Sequence, residues 1–221
     1  MSNASTSRVG RVRFHCNVTL DGYMAAPNQR LEQPFGDGME GLHDWMFKQR
    51  YVREMFGFGE GGEEGPSNEV IREAQSNIGA TIMGRNMFGP VRGEWPEEPW
   101  NGWWGPNPPY HTPVFVLTHY AREPLEMEGG TTFYFVTEGI EAALARARAA
   151  AAGGTDILIA GGANTINQYL RAGHIDEFEL HVAPFLRGEG ERVLAGANIK
   201  LDPLRVVDGG EVTHLKYRVR R

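Results

Sequence analysis

Apolar and polar positions along the chain repeat with two periods, and the two periods take turns. Residues 9–20 (VGRVRFHCNVTL) are rich in β-branched and apolar types and stop at Asp21-Gly22, a turn pair, which predicts a first strand. Residues 30–41 are polar and glycine-rich and predict a loop. Trp45, Met46, Tyr51, Val52 and Met55 follow at mixed helical spacing, predicting a helix over 43–56. Residues 57–65 hold five glycines and three glutamates and predict a flexible insertion. A helix is expected over 68–76, with Pro66 ahead of it and Ser67 as its N-cap. Short apolar runs at 80–83, 114–118 and 131–136 predict buried strands. The alanine-rich stretch 138–152 predicts a helix stopped by Gly153-Gly154. Residues 156–160 (DILIA) predict a buried strand, 164–172 a helix closed by Gly173, and 175–184 and 212–219 two late alternating strands. Strands that alternate with helices and finish on two strands without a helix between them predict an α/β fold. Its expected form is one three-layer domain over residues 9–221, a mostly parallel sheet with an antiparallel C-terminal edge and helices on both faces.

Composition narrows the function. Hydrophobic residues make up 41% of the chain and charged residues 23%, enough for a proper core. A net charge of −6 argues against nucleic acid as a partner, because such binding needs a basic face. Cys16 is the lone cysteine, so no intramolecular disulfide and no multi-cysteine zinc site is expected, which fits a reducing cytoplasm. No long apolar run marks a signal peptide or a membrane span. The opening Met1-Ser2-Asn3-Ala4 resembles a tag remnant, and residues 1–8 are expected to be disordered. Residues 89–113 carry seven prolines and four tryptophans. A stretch that long without periodicity is functional or disordered, and Trp95, Trp100, Trp103 and Trp104 favour a packed loop.

Three motifs bear on chemistry. In DILIAGGANTINQYL an apolar strand ends in Gly161-Gly162 and a helix begins at once, so the free backbone N–H groups at the helix start would face an anion. A plain strand-to-helix turn explains the same glycines about as well. In TIMGRNMF a strand runs into Gly84, Arg85 and Asn86, where the guanidinium could grip a phosphate in two-pronged fashion or make an ordinary surface ion pair. In VFVLTH a strand ends in Thr118 and His119, a candidate phosphate contact or a capped turn. All three clusters fall at carboxyl ends of predicted strands, where open α/β sheets bind ligands, and one elongated multi-phosphate ligand would account for them together.

The segments NVTLDGYMA (17–25), IMGRNMF (82–88), ILIAGGANTINQYL (157–170) and AGHIDEFELHVAPFLRGEG (172–190) resemble, in order and spacing, the dihydrofolate reductase-like superfamily. The resemblance is to the branch that contains the reductase domain of the bifunctional riboflavin biosynthesis protein. It implies an NADPH-dependent reductase acting on a small pyrimidine- or pteridine-like heterocycle, as 5-amino-6-(5-phosphoribosylamino)uracil reductase does, and a homodimer. It also implies that Gly84 and Arg85 hold cofactor phosphates, that Thr118 and His119 lie near the adenosine 2′-phosphate, and that Gly161, Gly162, Ala163, Asn164 and Thr165 cradle the pyrophosphate. Asn17 to Met24 would lie against the nicotinamide. Two positions depart from the pattern: His119 stands where the family has arginine, and Met87 where it has threonine.

Hydride transfer to a C=N or C=O carbon also consumes a proton. Asp21 is the ionisable group nearest the expected nicotinamide site in sequence, though it equally opens an Asp-Gly turn. Asp44 and His43 are the next candidates. Two rival readings stand beside the reductase: a dinucleotide-binding homodimer without turnover, and a structural dimer in which the glycine turns only pack.

Overall fold

The computed structural model describes residues 10–89, 93–98 and 100–221. The proposed tail 1–8, the start of the first strand at Val9 and four residues of the tryptophan loop lie outside them. The strands are β1 (Val12–Thr19), β2 (Tyr23–Ala25), β3 (Ile78–Gly84), β4 (Pro113–Leu117), β5 (Leu125–Glu126), β6 (Thr132–Val136), β7 (Asp156–Gly161), β8 (Glu177–Ala183), β9 (Glu191–Arg192), β10 (Leu201–Asp208) and β11 (Thr213–Val219). The helices are α1 (Asp44–Lys48), α2 (Arg50–Met55), α3 (Pro66–Ala74), α4 (Arg85–Phe88), α5 (Ile140–Ala150) and α6 (Ala163–Arg171).

Nine strands form one sheet in the order β10-β11-β8-β1-β7-β3-β4-β6-β5. The six from β8 to β6 run parallel, while β10, β11 and β5 are antiparallel at the two edges. On one face, Phe14, Cys16, Ile82, Ile157 and Ile159 pack beneath α5 and α6, which supply Ala143, Leu144, Ala147, Ile166 and Tyr169. Small alanines let α5 sit close over β3 and β4. On the other face, α1 to α3 cover the β8 side through Leu42, Trp45, Val52 and Ile71. Over β3, β4 and β6 the short helix α4 supplies only Phe88, and Trp95, Trp100 and Tyr110 of the long loop pack on it and on Phe133 and Phe135. The expected packed loop is therefore the third layer at that end.

Several boundaries differ from expectation for local reasons. The helix over 43–56 is broken into α1 and α2 at Gln49. There the insertion edges in: Glu63 donates its N–H to the Lys48 carbonyl, and its own carbonyl accepts from Arg50 N–H. That stretch of the glycine-rich insertion is thus tied to the backbone. Ser67 is not an N-cap; Gly65 takes that place, with φ +147°, and the Ser67 hydroxyl faces His214. β10 was not expected, because Pro203 and a bulge between Pro203 and Arg205 interrupt its alternation. Both are tolerated on an edge strand. With β10 outermost, β8 and β11 pair with each other inside the sheet, and neither has a free edge. No helix among the described residues is long and apolar enough to cross a membrane.

One feature of register opens the site. β1 pairs with β8 along its length, from Arg13↔Glu177 to Thr19↔Ala183. It pairs with β7 only at Val12↔Ile157 and Arg13↔Leu158. Beyond that point β1 and β7 diverge towards their carboxyl ends.

Candidate functional site

A cleft of about 770 Å³ lies at the carboxyl ends of β1, β7, β3 and β4, a volume suited to a small-molecule ligand. Asn17, Met24, Gly84, Arg85, Asn86, Thr118, His119, Gly162, Ala163, Asn164 and Thr165 line it. Gly161 sits directly behind its wall: a Cβ there would come within 3.4 Å of Met24 and 3.8 Å of Met87.

The three sequence clusters are neighbours because their strands are. Met83 pairs with Gly161, and Gly84 with Leu117. A Cβ added to Gly84 would lie 2.5 Å from Thr165 Oγ1, so the turn after β3 and the start of α6 touch. Gly161 has φ +132°, a region that disfavours side chains. The N-terminus of α6 has no side-chain cap and no acidic residue in its first turn, and nothing stands within 4 Å of where a Gly162 side chain would be. Its free N–H groups and positive dipole end face open space, as an anion site requires.

Arg85 completes this end. Its Nη1 donates to Thr118 Oγ1 at 3.1 Å, and its guanidinium lies 3.3 Å from the Trp95 ring centroid. Trp95 is held in turn by its Nε1–H bond to the Tyr120 carbonyl at 3.1 Å. Burial, with Arg122 nearby, pushes the Arg85 pKa down. Nε and Nη2 of Arg85 are buried and have no hydrogen-bond partner among the described residues. A guanidinium with buried, unpaired nitrogens is costly without an anion and complementary to one that reaches them.

The two expected catalytic carboxylates are placed elsewhere. Asp21 does not line the cleft. Its carboxylate accepts from Thr19 Oγ1 at 2.6 Å, Gly188 N–H at 2.7 Å and Arg187 N–H at 3.1 Å. The Thr19 hydroxyl, with these backbone donors, pulls its pKa down to about 2. Such an acid holds no proton at neutral pH; it pins residues 187–188 to the turn after β1. Asp21→Asn is therefore expected to lower Tm by a few degrees, read by thermal melts. The sign follows from the shift: Asp21 adds stability above the ordinary carboxylate range, and that stability is lost as pH falls towards 2. Asp44 opens α1 on the exposed surface, also outside the cleft wall.

Sequence reasoning named His43 in the other half of the cleft but missed His15 of β1 and Gln75 after α3. All three line it, with Phe35, Phe56, Trp103 and Trp104 as walls. Phe56 stacks on Trp104 at 4.7 Å, and Phe35 on His43 at 4.1 Å. Desolvation lowers the His43 pKa to about 4 and that of His15 to about 4, the latter aided by Arg13. Asn17 accepts the Trp45 indole N–H at 2.9 Å, which fixes its amide at the cleft floor. A signal for His15 was present. Arg13, His15 and Asn17 in β1, Glu177, Glu179 and His181 in β8, and His214, Lys216 and Arg218 in β11 alternate in phase and pair in rows across three strands. The pattern reads as a solvent face until α1 to α3 are known to cover it.

Comparison with known proteins fits this geometry. The family model of the RibD C-terminal domain matches residues 11–215. The chain belongs to the RibD C-terminal domain family. No curated protein matches it in sequence. Among solved structures, a riboflavin biosynthesis protein from Shewanella sp. PV-4 superposes with a TM-score of 0.60 at 19% identity, covering 96% of this chain and 99% of that one. The Thermotoga maritima diaminohydroxyphosphoribosylaminopyrimidine deaminase/5-amino-6-(5-phosphoribosylamino)uracil reductase matches at 0.52 and 13%, covering 96% of this chain and 57% of that one. A pyrimidine reductase-like protein from Corynebacterium diphtheriae matches at 0.51 and 12%, covering 96% and 92%. At these identities the likeness concerns the RibD reductase-like fold.

Proposed function

We propose that this RibD C-terminal domain protein is an NADPH-dependent reductase of a flat, uncharged heterocycle of the pyrimidine or pteridine kind. The observation that carries the reading is the pair of buried Arg85 nitrogens, Nε and Nη2, without hydrogen-bond partners among the described residues, in the same cleft as the uncapped N-terminus of α6. Together they make a phosphate cradle on two adjacent strands, the recognition a dinucleotide needs. When bound, NADPH supplies the hydride. The chain's part is to hold the phosphates with Arg85, Thr118 and the α6 amides, to set one ring face against Asn17 and Met24, and to keep the acceptor between aromatic walls away from water.

The choice of an uncharged acceptor rests on the lining. Among its described residues Arg85 is the one guanidinium and Glu191 the one carboxylate, and there is no lysine. With Arg85 engaged by the cofactor, the acceptor half offers imidazoles, amides and aromatic faces. 5-Amino-6-(ribosylamino)uracil is accordingly expected to be a better acceptor than its 5′-phosphate.

The test has two stages. NADPH is expected to quench tryptophan fluorescence through Trp95, with a micromolar Kd or tighter. NADPH oxidation is then expected with the ribosylaminouracil and slower with its phosphate. Quenching without oxidation by any acceptor in a pyrimidine and pteridine panel would favour the binding module without turnover, and no quenching would end the dinucleotide reading. We further propose a homodimer in the cytoplasm, checked by light scattering.

A further inference from the structure

Behind the cleft runs an unbroken line of hydrogen-bonding groups that cofactor binding does not use. Gln75 Nε2 lies 3.1 Å from His15 Nε2, and His15 Nδ1 lies 3.2 Å from His181 Nε2. His181 Nδ1 lies 2.9 Å from His214 Nδ1, and His214 Nε2 lies 3.0 Å from Ser67 Oγ. Ser67 Oγ is 3.4 Å from the Gly209 carbonyl, in the exposed turn between β10 and β11. His181 and His214 are each 0% exposed, and Trp45 packs against both rings at 5.2 and 5.0 Å. Only His15 and Gln75 of this line reach the cleft.

Three neutral imidazoles satisfy the links from His15 to Ser67 in two opposite senses. In the first, Gln75 donates to His15, His15 to His181, His181 to His214, His214 to Ser67, and Ser67 to the Gly209 carbonyl. In the second, Ser67 donates to His214 Nε2, His214 Nδ1 to His181 Nδ1 and His181 Nε2 to His15 Nδ1; His15 Nε2 then carries a hydrogen that points towards the cleft, and the Gln75 amide turns to offer Oε1. Neither sense places a charge in the protein interior, where it would be costly. Burial keeps all three imidazoles below their ordinary pKa, which favours these neutral forms.

We propose that His15 is the proton donor of the reduction and that His181, His214 and Ser67 form a relay that recharges it. The proposal rests on the reductase reading above. In the step, hydride adds to the acceptor carbon of a C=N or C=O bond. The π electron pair moves to the heteroatom, which takes the proton from His15 Nε2. His15 Nδ1 takes one from His181 Nε2, His181 Nδ1 one from His214 Nδ1, and His214 Nε2 one from Ser67, which is reprotonated by water at the 208–211 turn. One hydride and one proton reach the substrate, and every imidazole ends neutral. Between turnovers, water in the open cleft runs the hops backwards and resets the line. His15 touches the reacting atoms; His181, His214 and Ser67 act through it. This arrangement removes the need for a cleft carboxylate acid, a role that Asp21 and Asp44 do not fill.

Two measurements on the full chain decide it. The first needs no turnover. In protein labelled with ¹⁵N-histidine, long-range ¹H–¹⁵N spectra are expected to show three neutral imidazoles. Ser67→Ala, at the end away from the cleft, is expected to shift the tautomer balance of His15 two rings away. An imidazolium at His181, or His15 resonances unmoved by Ser67→Ala, would overturn the relay even if NADPH is oxidised. The second uses NADPH and 5-amino-6-(ribosylamino)uracil. Ser67→Ala and His214→Gln are expected to lower kcat about tenfold with KM unchanged, and to straighten a curved proton inventory into a single-proton line. His15→Gln is expected to lose about a hundredfold, with partial rescue by added imidazole. Unchanged kcat in Ser67→Ala with a live wild type refutes the relay alone. A wild type that binds no NADPH refutes the reductase reading, and the spectra still judge the hydrogen-bonded line.

Discussion

Replacing Arg85 with alanine is expected to weaken NADPH binding by about 10- to 100-fold while leaving the unliganded fold as stable as before or slightly more so. The two halves of this result come from one geometry. In the free protein two nitrogens of Arg85, Nε and Nη2, are buried without hydrogen-bond partners among the described residues, which costs about 1–3 kcal/mol for each unpaired group. The stack on Trp95 returns about 0.5–2 kcal/mol, so deletion is near neutral or favourable for folding. In the complex the same groups would make charge-assisted bonds to phosphate worth about 1.5–3 kcal/mol each, and these are lost. Arg85→Lys is expected to recover little, because an ammonium has neither the fork nor the flat face that Trp95 supports. Fluorescence titration gives the affinity and thermal melts give the stability. A variant that unfolds at lower temperature and binds normally would show Arg85 to be a packing residue.

The second large effect is on acid stability. His15, His181 and His214 are kept neutral in the fold chiefly by burial, with Arg13 beside His15 and Arg205 near His181 and His214 opposing their charging further. His15 and His214 fall to about 4. In the unfolded chain the same groups protonate near 6.5. Between these values the unfolded state binds more protons, so stability rises with pH there. It is complete above the ordinary histidine range and is lost as pH falls from about 6.5 towards 4, by about 1.4 kcal/mol per pH unit for each imidazole involved. Urea unfolding at a series of pH values is expected to show a steep decline in that window and a plateau above it. His15→Gln should flatten the slope by one proton. A profile level from pH 7 down to 4.5 would mean that these histidines are already charged or already exposed.

Much of the architecture was legible because it depends on local pattern. The apolar runs at β3, β4 and β7 and the alanines of α5 report burial directly. Gly84 and Gly161 marked turns where chain meets chain, and their strands turned out to be neighbours. What stayed hidden was long-range. Pro203 concealed β10, since an edge strand keeps its place by pairing on one side only. Ser67 looked like a cap because a serine directly before the expected helix start at Asn68, with Pro66 ahead of it, fits that role, and only β11 brings His214 to its hydroxyl. Asp21 looked catalytic by its position after β1, and only the return of residues 187–188 shows its lone pairs occupied. The histidines were hidden for the same reason: their polar face is roofed by helices far along the chain.

The short ladder between β1 and β7 carries a consequence for how such a protein is retooled. Because only two residue pairs join these strands, the gap that receives a ligand is made by main-chain divergence and not by the removal of bulky side chains. On the proposed reading, phosphate grip would sit on one bank, with Arg85 and α6, and acceptor chemistry on the other, with β1, α1 and α3. Either bank could then be rewritten in sequence without repairing the other, so a change of substrate would not disturb the hold on the nucleotide.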